Sequence, residues 1–133
     1  MGNHTVTLRR ADRKYANWVS NNPALSLRMN RRVKKEWIEA LRSGDYEQGK
    51  GRLCGDGGFC CLGVVADLEY DGYWLRDPPT TWMLDDAANS VTRLPPAFAK
   101  RIKLVPFVTS LLIILNDGGV PFTKIADWLE GHV

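Results

Sequence analysis

Cys54, Cys60 and Cys61 are the residues of this 133-residue sequence most suited to chemistry, and three chemistries compete for them. Structural zinc uses two ligand pairs with short spacers, and adjacent cysteines rarely hold one ion together. Here five residues separate Cys54 from Cys60, Cys61 follows at once, and the two histidines, His4 and His132, lie near the ends of the chain. A nucleophilic thiol needs a depressed pKa and a base, usually histidine, and the same two residues are the only histidines on offer. An odd cysteine count does not indicate a disulfide framework, and neighbours such as Cys60 and Cys61 pair badly. The cysteines therefore read as small buried side chains, with no metal and no cofactor expected. Asp85 and Asp86 are adjacent and diverge in any regular element, and no Ser/His/Asp set or metalloprotease helix is present. The expectation is a protein without catalytic activity.

Anion binding is the sharper idea. In Gln48–Arg52, the stretch QGKGR, Gly49 and Gly51 alternate with Lys50 and Arg52. Such glycines let backbone N–H groups face an anion, with the two cations and the Gln48 amide close by. The spacing is neither that of a Walker loop nor that of a dinucleotide fingerprint. The plainer reading is a glycine-rich edge strand whose cations guard against aggregation. The rings of Tyr46, Tyr73, Trp74 and Trp82 would add stacking surface for an anionic nucleotide, although plugging a core is the commoner use of large rings. Tyr46, Gln48, Lys50, Arg52, Tyr73, Trp74 and Trp82 are thus the candidate ligand- or partner-binding residues.

Charge is divided unevenly. Residues 1–35 carry nine Lys/Arg and one Asp, whereas residues 36–133 carry nine Lys/Arg and fourteen Asp/Glu. Arg9, Arg10, Arg13, Lys14, Arg31 and Arg32 form a basic set through which residues 1–35 can meet nucleic acid or an acidic partner, since clustered cations release counterions on binding phosphate. A solvated amphipathic helix explains the same pattern.

The elements that must position these residues follow from periodicity. Thr5–Leu8 suits a short strand. Arg9–Ser20 suits a helix with Ala11, Tyr15, Trp18 and Val19 on one face and Arg10, Arg13 and Lys14 opposite. Asn30–Ser43 is the clearest helix, with Asn30 as cap, Val33, Trp37 and Leu41 as a buried stripe, and Gly44 as a left-handed exit. Its first turns carry Arg31, Arg32, Lys34 and Lys35, against the helix dipole, which calls for a partner or neighbouring carboxylates. Glu47–Cys54 reads as a strand and Gly55–Gly58 as a turn. Phe59–Leu68 satisfies both a strand and a helix, and a helix over Cys60–Glu69 is preferred. Tyr70–Arg93 reads mostly as loop, with a short strand at Thr80–Leu84. Leu94–Pro96 opens a helix running to Lys103. Pro106 separates it from a helix over Thr109–Asn116, and a last helix covers Pro121–Glu130. Leu111–Leu129 has the form of half a helix-turn-helix, but no further recognition helix follows, so a hairpin packed on the core is expected. The predicted core comprises Val33, Trp37, Leu41, Leu62, Val65, Leu68, Phe98, Ile102, Leu112, Leu115, Phe122, Ile125 and Leu129.

From about Met29 onward the chain resembles a family of small uncharacterised proteins of tailed phages and prophages. The segments that carry the resemblance are KKEWIEALRSGDYEQGKGRL, FCCLGVVADL, Leu94-Pro95 and LNDGGVPFTKIADWLE. It implies a small product acting inside an infected cell. Pro121 stands where a capping serine is expected, so the start of the last helix is in question. Residues 1–28 lie outside the resemblance.

The fold expected is α+β, a predominantly helical single domain over residues 29–133 with a small glycine-rich β-hairpin and a C-terminal helical hairpin. Residues 1–28 are expected to form a basic arm. No charged-then-apolar leader and no apolar run long enough for a bilayer are seen, which points to the cytoplasm of the host cell and no membrane. The function expected is that of a non-catalytic phage accessory protein that binds and modulates a host macromolecule, a defence component being the leading case. The alternatives are a small-ligand binder that sequesters an anionic nucleotide signal, and nucleic-acid binding through the basic arm.

Overall fold

The computed structural model describes residues 3–21, 28–55, 57–76, 82–85 and 91–133. Six helices and two antiparallel strand pairs are found among them: α1 (Asn3–Asn21), α2 (Arg31–Ser43), β1 (Cys54–Gly55), β2 (Gly58–Phe59), α3 (Cys61–Glu69), β3 (Trp74–Arg76), β4 (Trp82–Leu84), α4 (Pro96–Arg101), α5 (Pro106–Asp117) and α6 (Phe122–His132). The fold is a helical α+β domain.

The expected α2 forms for the expected reasons. The Asn30 side chain accepts the Val33 N–H at 3.0 Å, and Gly44 leaves the helix at φ 80°. Val33, Trp37 and Leu41 are buried, and the Trp37 indole donates to the Cys61 carbonyl at 2.9 Å. Of the cations against the dipole, Arg32 is met by carboxylates, and Lys34 donates to the Glu130 carbonyl at 3.4 Å. Arg32 pairs with Glu36 at 3.0 Å and with Glu69 at 3.2 Å. The Arg32–Glu36 pair is open to solvent screening, whereas the Glu69 side chain is largely covered.

The core centres on α3, whose residues Cys61–Ala66 are all buried, with α2 on one side and α5 on another. Cys60 caps this helix, its Sγ accepting the Gly63 N–H at 3.4 Å. Ahead of α3, Cys54 pairs with Phe59 and Gly55 with Gly58, which is the glycine hairpin expected from the sequence. Its strands are shorter than predicted. Instead of a strand over 47–54, only Gln48 bridges to Phe59, and Gly49 and Gly58 lie so close that a Cβ on Gly49 would meet the Gly58 carbonyl at 2.9 Å. The turn residue Asp56 lies outside the described residues.

Four further expectations need correction. Thr5–Leu8 is helical, because the amphipathic pattern of α1 extends through it and outweighs the β-branched preference of Thr5, Val6 and Thr7. The region after α3 contains β3, paired with β4 through Trp74–Leu84, Leu75–Met83 and Arg76–Trp82. Of the strand predicted at 80–84, residues 80–81 lie outside the described residues. Pro106 opens α5 rather than preceding it, since proline is tolerated where the N–H has no helical partner. Leu68, predicted in the core, is 38% exposed on the last turn of α3.

Helix α1 packs against the domain. Ala11 is buried, Trp18 stacks on Phe107 at 4.9 Å, and Tyr15 donates to the His132 carbonyl at 2.6 Å. The Trp128 indole reaches Asp12 at 2.7 Å. The predicted apolar face is therefore correct, but it seals α1 onto α5 and α6 and does not leave a free arm. Among the described residues, no helix is long and apolar enough to cross a membrane.

Candidate functional site

The glycine stretch proves to be held by a pair of amides. Asn116 in α5 is fully buried. Its Oδ1 accepts from the Gln48 amide at 3.0 Å and from the Cys61 N–H at 3.1 Å, and its Nδ2 donates to the Gly49 carbonyl at 2.8 Å. Gln48 also donates to the Val120 carbonyl at 2.8 Å and accepts the Phe122 N–H at 3.0 Å. The first N–H groups of a helix have no partner within it. Here Asn116 satisfies one at the start of α3, and Gln48 satisfies one at the start of α6. Pro121 offers no capping side chain, and Gln48 takes the N–H of the first helical residue from outside the helix. The Gly51 N–H is taken by Asp117 at 3.1 Å. The Gln48 amide, the Gly49 N–H and carbonyl and the Gly51 N–H are thus already committed within the fold.

The other predicted binding residues do not converge on one site. Tyr46 and Trp74 both point to Asp67, the Tyr46 hydroxyl at 2.6 Å and the Trp74 indole at 3.0 Å. Burial and the neighbouring Asp67 raise the Tyr46 pKa, so its hydroxyl stays a donor. The hollow beside them holds Glu39, Asp45 and Asp67 and, among its described lining residues, no cation, which disfavours an anionic nucleotide. Tyr73 is 63% exposed, and the side chain of Trp82 lies outside the described residues. Lys50 is exposed near Gly119. Arg9, Arg10, Arg13 and Lys14 are exposed on α1, and Arg31 on α2, while Arg32 is occupied by Glu36 and Glu69.

Burial pushes the Cys60 thiol up to about 11, and that of fully buried Cys61 well above its ordinary value. Both are protonated at neutral pH and unsuited to attack. Among the described residues, no group of three or more His, Cys, Asp or Glu side chains is placed to hold a metal ion.

Arg52 leads to a surface the sequence did not reveal. With Cys60, Arg93, Ile113 and Asp117 it lines a small cavity of about 160 Å³. Arg93 and Ile113 also line a larger groove of about 460 Å³ between α4 and α5. Leu62 of α3 contributes to that groove, with Leu94, Pro96, Ala99, Leu104 and Val105 from α4 and its flanks, and Pro106, Thr109 and Ile113 from α5. Arg93, Lys100 and Lys103 also line it, and no carboxylate does among the described residues. Arg101, on the same helix as Lys100, is committed elsewhere, donating to the Glu69 carbonyl at 3.0 Å. A cavity of this size, apolar with a few polar groups, has the form of a small-molecule site.

Lys103 carries the one positive φ among described non-glycine residues, 62°. Its N–H bonds the Lys100 carbonyl at 3.1 Å, and the Leu104 N–H bonds the Ala99 carbonyl at 2.9 Å. This is the helix-ending motif that usually places glycine at that position. A side chain held in the left-handed region costs about 1–2 kcal/mol, part of which glycine returns through its greater freedom in the unfolded chain. Lys103→Gly is therefore expected to stabilise the fold by about 0.5–1 kcal/mol in urea denaturation, at the expense of one groove cation. A comparable loss of stability would show that the lysine stem packs usefully. Backbone strain kept beside a cavity points to a use for the side chain.

A family model described as a domain of unknown function (DUF8296) matches residues 29–93. No curated protein and no solved structure matches the chain. The matched region runs from Met29, just before α2, to Arg93, so of the groove it contains Leu62 and Arg93.

Proposed function

We propose that this protein is a non-catalytic binding protein that holds a small amphipathic anion in the groove between α4 and α5. One observation carries the reading: an apolar cavity of about 460 Å³ whose charged lining residues, among the described residues, are all cations. Apolar walls favour a ligand body that leaves water, and a cationic rim favours an anionic group. The described lining has no histidine, carboxylate or thiol, and its one hydroxyl, Thr109, already donates to the Pro106 carbonyl at 2.7 Å. Apolar walls and cations are groups suited to holding a ligand.

The ligand-sequestering reading of the sequence thus moves from the glycine stretch and the aromatics to this groove. The resemblance to phage and prophage proteins supports a setting in an infected host cell. There, withdrawing an anionic metabolite or signal would modulate a host process such as defence.

The fluorescent anion 8-anilinonaphthalene-1-sulfonate tests the site without assuming the natural ligand. It is expected to bind the native protein with a blue-shifted rise in emission. Lys100→Glu with Lys103→Glu is expected to weaken it at least tenfold, roughly 1.4 kcal/mol, while the melting temperature stays close to that of the parent. Equal binding by parent and variant would remove the groove from the account.

A further inference from the structure

We infer that the groove's occupant is a free single-chain aliphatic carboxylate and not a nucleotide; this rests on the reading of the groove as a binding site. The walls decide the class. Leu62, Leu104 and Ile113 are aliphatic, and the described lining contains no aromatic ring. Nucleobases are held by stacking on aromatic side chains and by hydrogen bonds to their edges. No aromatic platform is on offer among the described lining residues, and the hydroxyl proton of Thr109 already goes to the Pro106 carbonyl. An alkyl chain needs no such partners and gains from the removal of its surface from water.

The rim decides the headgroup. Arg93, Lys100 and Lys103 are the charged lining residues, and among the described residues none of them is in an ion pair. A planar guanidinium matches a carboxylate with two parallel hydrogen bonds, and the two ammonium groups add charge without fixed geometry. The cavity volume, about 460 Å³, is in the range of small-ligand pockets, which suits one chain better than a two-chain lipid.

Isothermal titration of the 133-residue chain with decanoate below its micellar concentration, decanol and adenosine monophosphate tests the inference. Decanoate is expected to bind one to one, decanol at least tenfold more weakly, and the nucleotide not at all. Lys100→Gln with Lys103→Gln is expected to weaken decanoate about tenfold and to leave decanol unchanged. Equal affinity for decanoate and decanol, or decanoate binding unaffected by the glutamines, would overturn the inference. A nucleotide that binds more tightly than decanoate and is lost in Lys100→Glu with Lys103→Glu would overturn the aliphatic class while leaving the groove as the site. Absence of decanoate binding overturns the inference, and if 8-anilinonaphthalene-1-sulfonate also fails to bind, the groove reading falls with it.

Discussion

Replacing Asn116 by leucine is expected to destabilise the protein by about 3–5 kcal/mol, a large effect for one exchange of similar volume. The reason is the number of groups that depend on one buried amide. Leucine leaves the Cys61 N–H without the acceptor at 3.1 Å and the Gly49 carbonyl without the donor at 2.8 Å, and it removes one of two acceptors from the Gln48 amide. Each buried group orphaned in this way costs about 1–3 kcal/mol. The loss is shared with Gln48, whose other bonds run to Val120 and Phe122. Urea denaturation of the single variants and of Gln48→Leu with Asn116→Leu should therefore be non-additive, with a coupling of about 0.5–3 kcal/mol. Additive losses would mean that the two amides stabilise the fold independently.

The second large effect is expected at Gly63. A Cβ there would fall within the Leu53 carbonyl and 2.6 Å from its carbon, both backbone atoms that cannot swing aside. Leu53 is itself fully buried, and its carbonyl accepts the Cys60 N–H at 3.1 Å, so the approach is fixed from both sides. Gly63→Ala must push α3 off the segment before β1, and about 3 kcal/mol or more of stability is expected to go, the upper end for overpacking. Alanine's better helix propensity, about 1 kcal/mol, does not offset it. A loss below that figure in denaturant melts would show that the two segments part easily.

Much of the fold is legible because it is local. Asn30, the Val33–Trp37–Leu41 stripe and Gly44 each state their role within one helix, and α2 follows. The hairpin is announced by the glycines around residue 57. Where burial surrounds a helix, periodicity loses contrast. Cys61–Ala66 are buried on every face, so spacing could not tell that Leu68, one turn later, emerges into solvent. The strand β3 is three residues long with Leu75 41% exposed, so it lacks the alternation that marks a half-buried strand.

The candidate site was less legible, for a different reason. Gln48, Lys50 and Arg52 stand out as a group because they are adjacent in sequence, but Gln48 turns inward to cap α6 while Arg52 faces the cavity it shares with Arg93. The amide pair joins residues 68 positions apart. The groove draws on α3, on α4 with the segments either side of it, and on α5, and its cations Arg93, Lys100 and Lys103 have no motif of their own. The one local signal is the absence of glycine at the end of α4, which can be read only once the helix boundary is known.

The most direct test of the account is amide chemical-shift mapping of the native protein as 8-anilinonaphthalene-1-sulfonate is titrated in. The account predicts that the largest perturbations gather on Leu62, Leu94, Ala99, Leu104 and Ile113, the walls of the groove. Perturbations centred on Tyr46, Asp67 and Trp74, or on the basic face of α1, would contradict it.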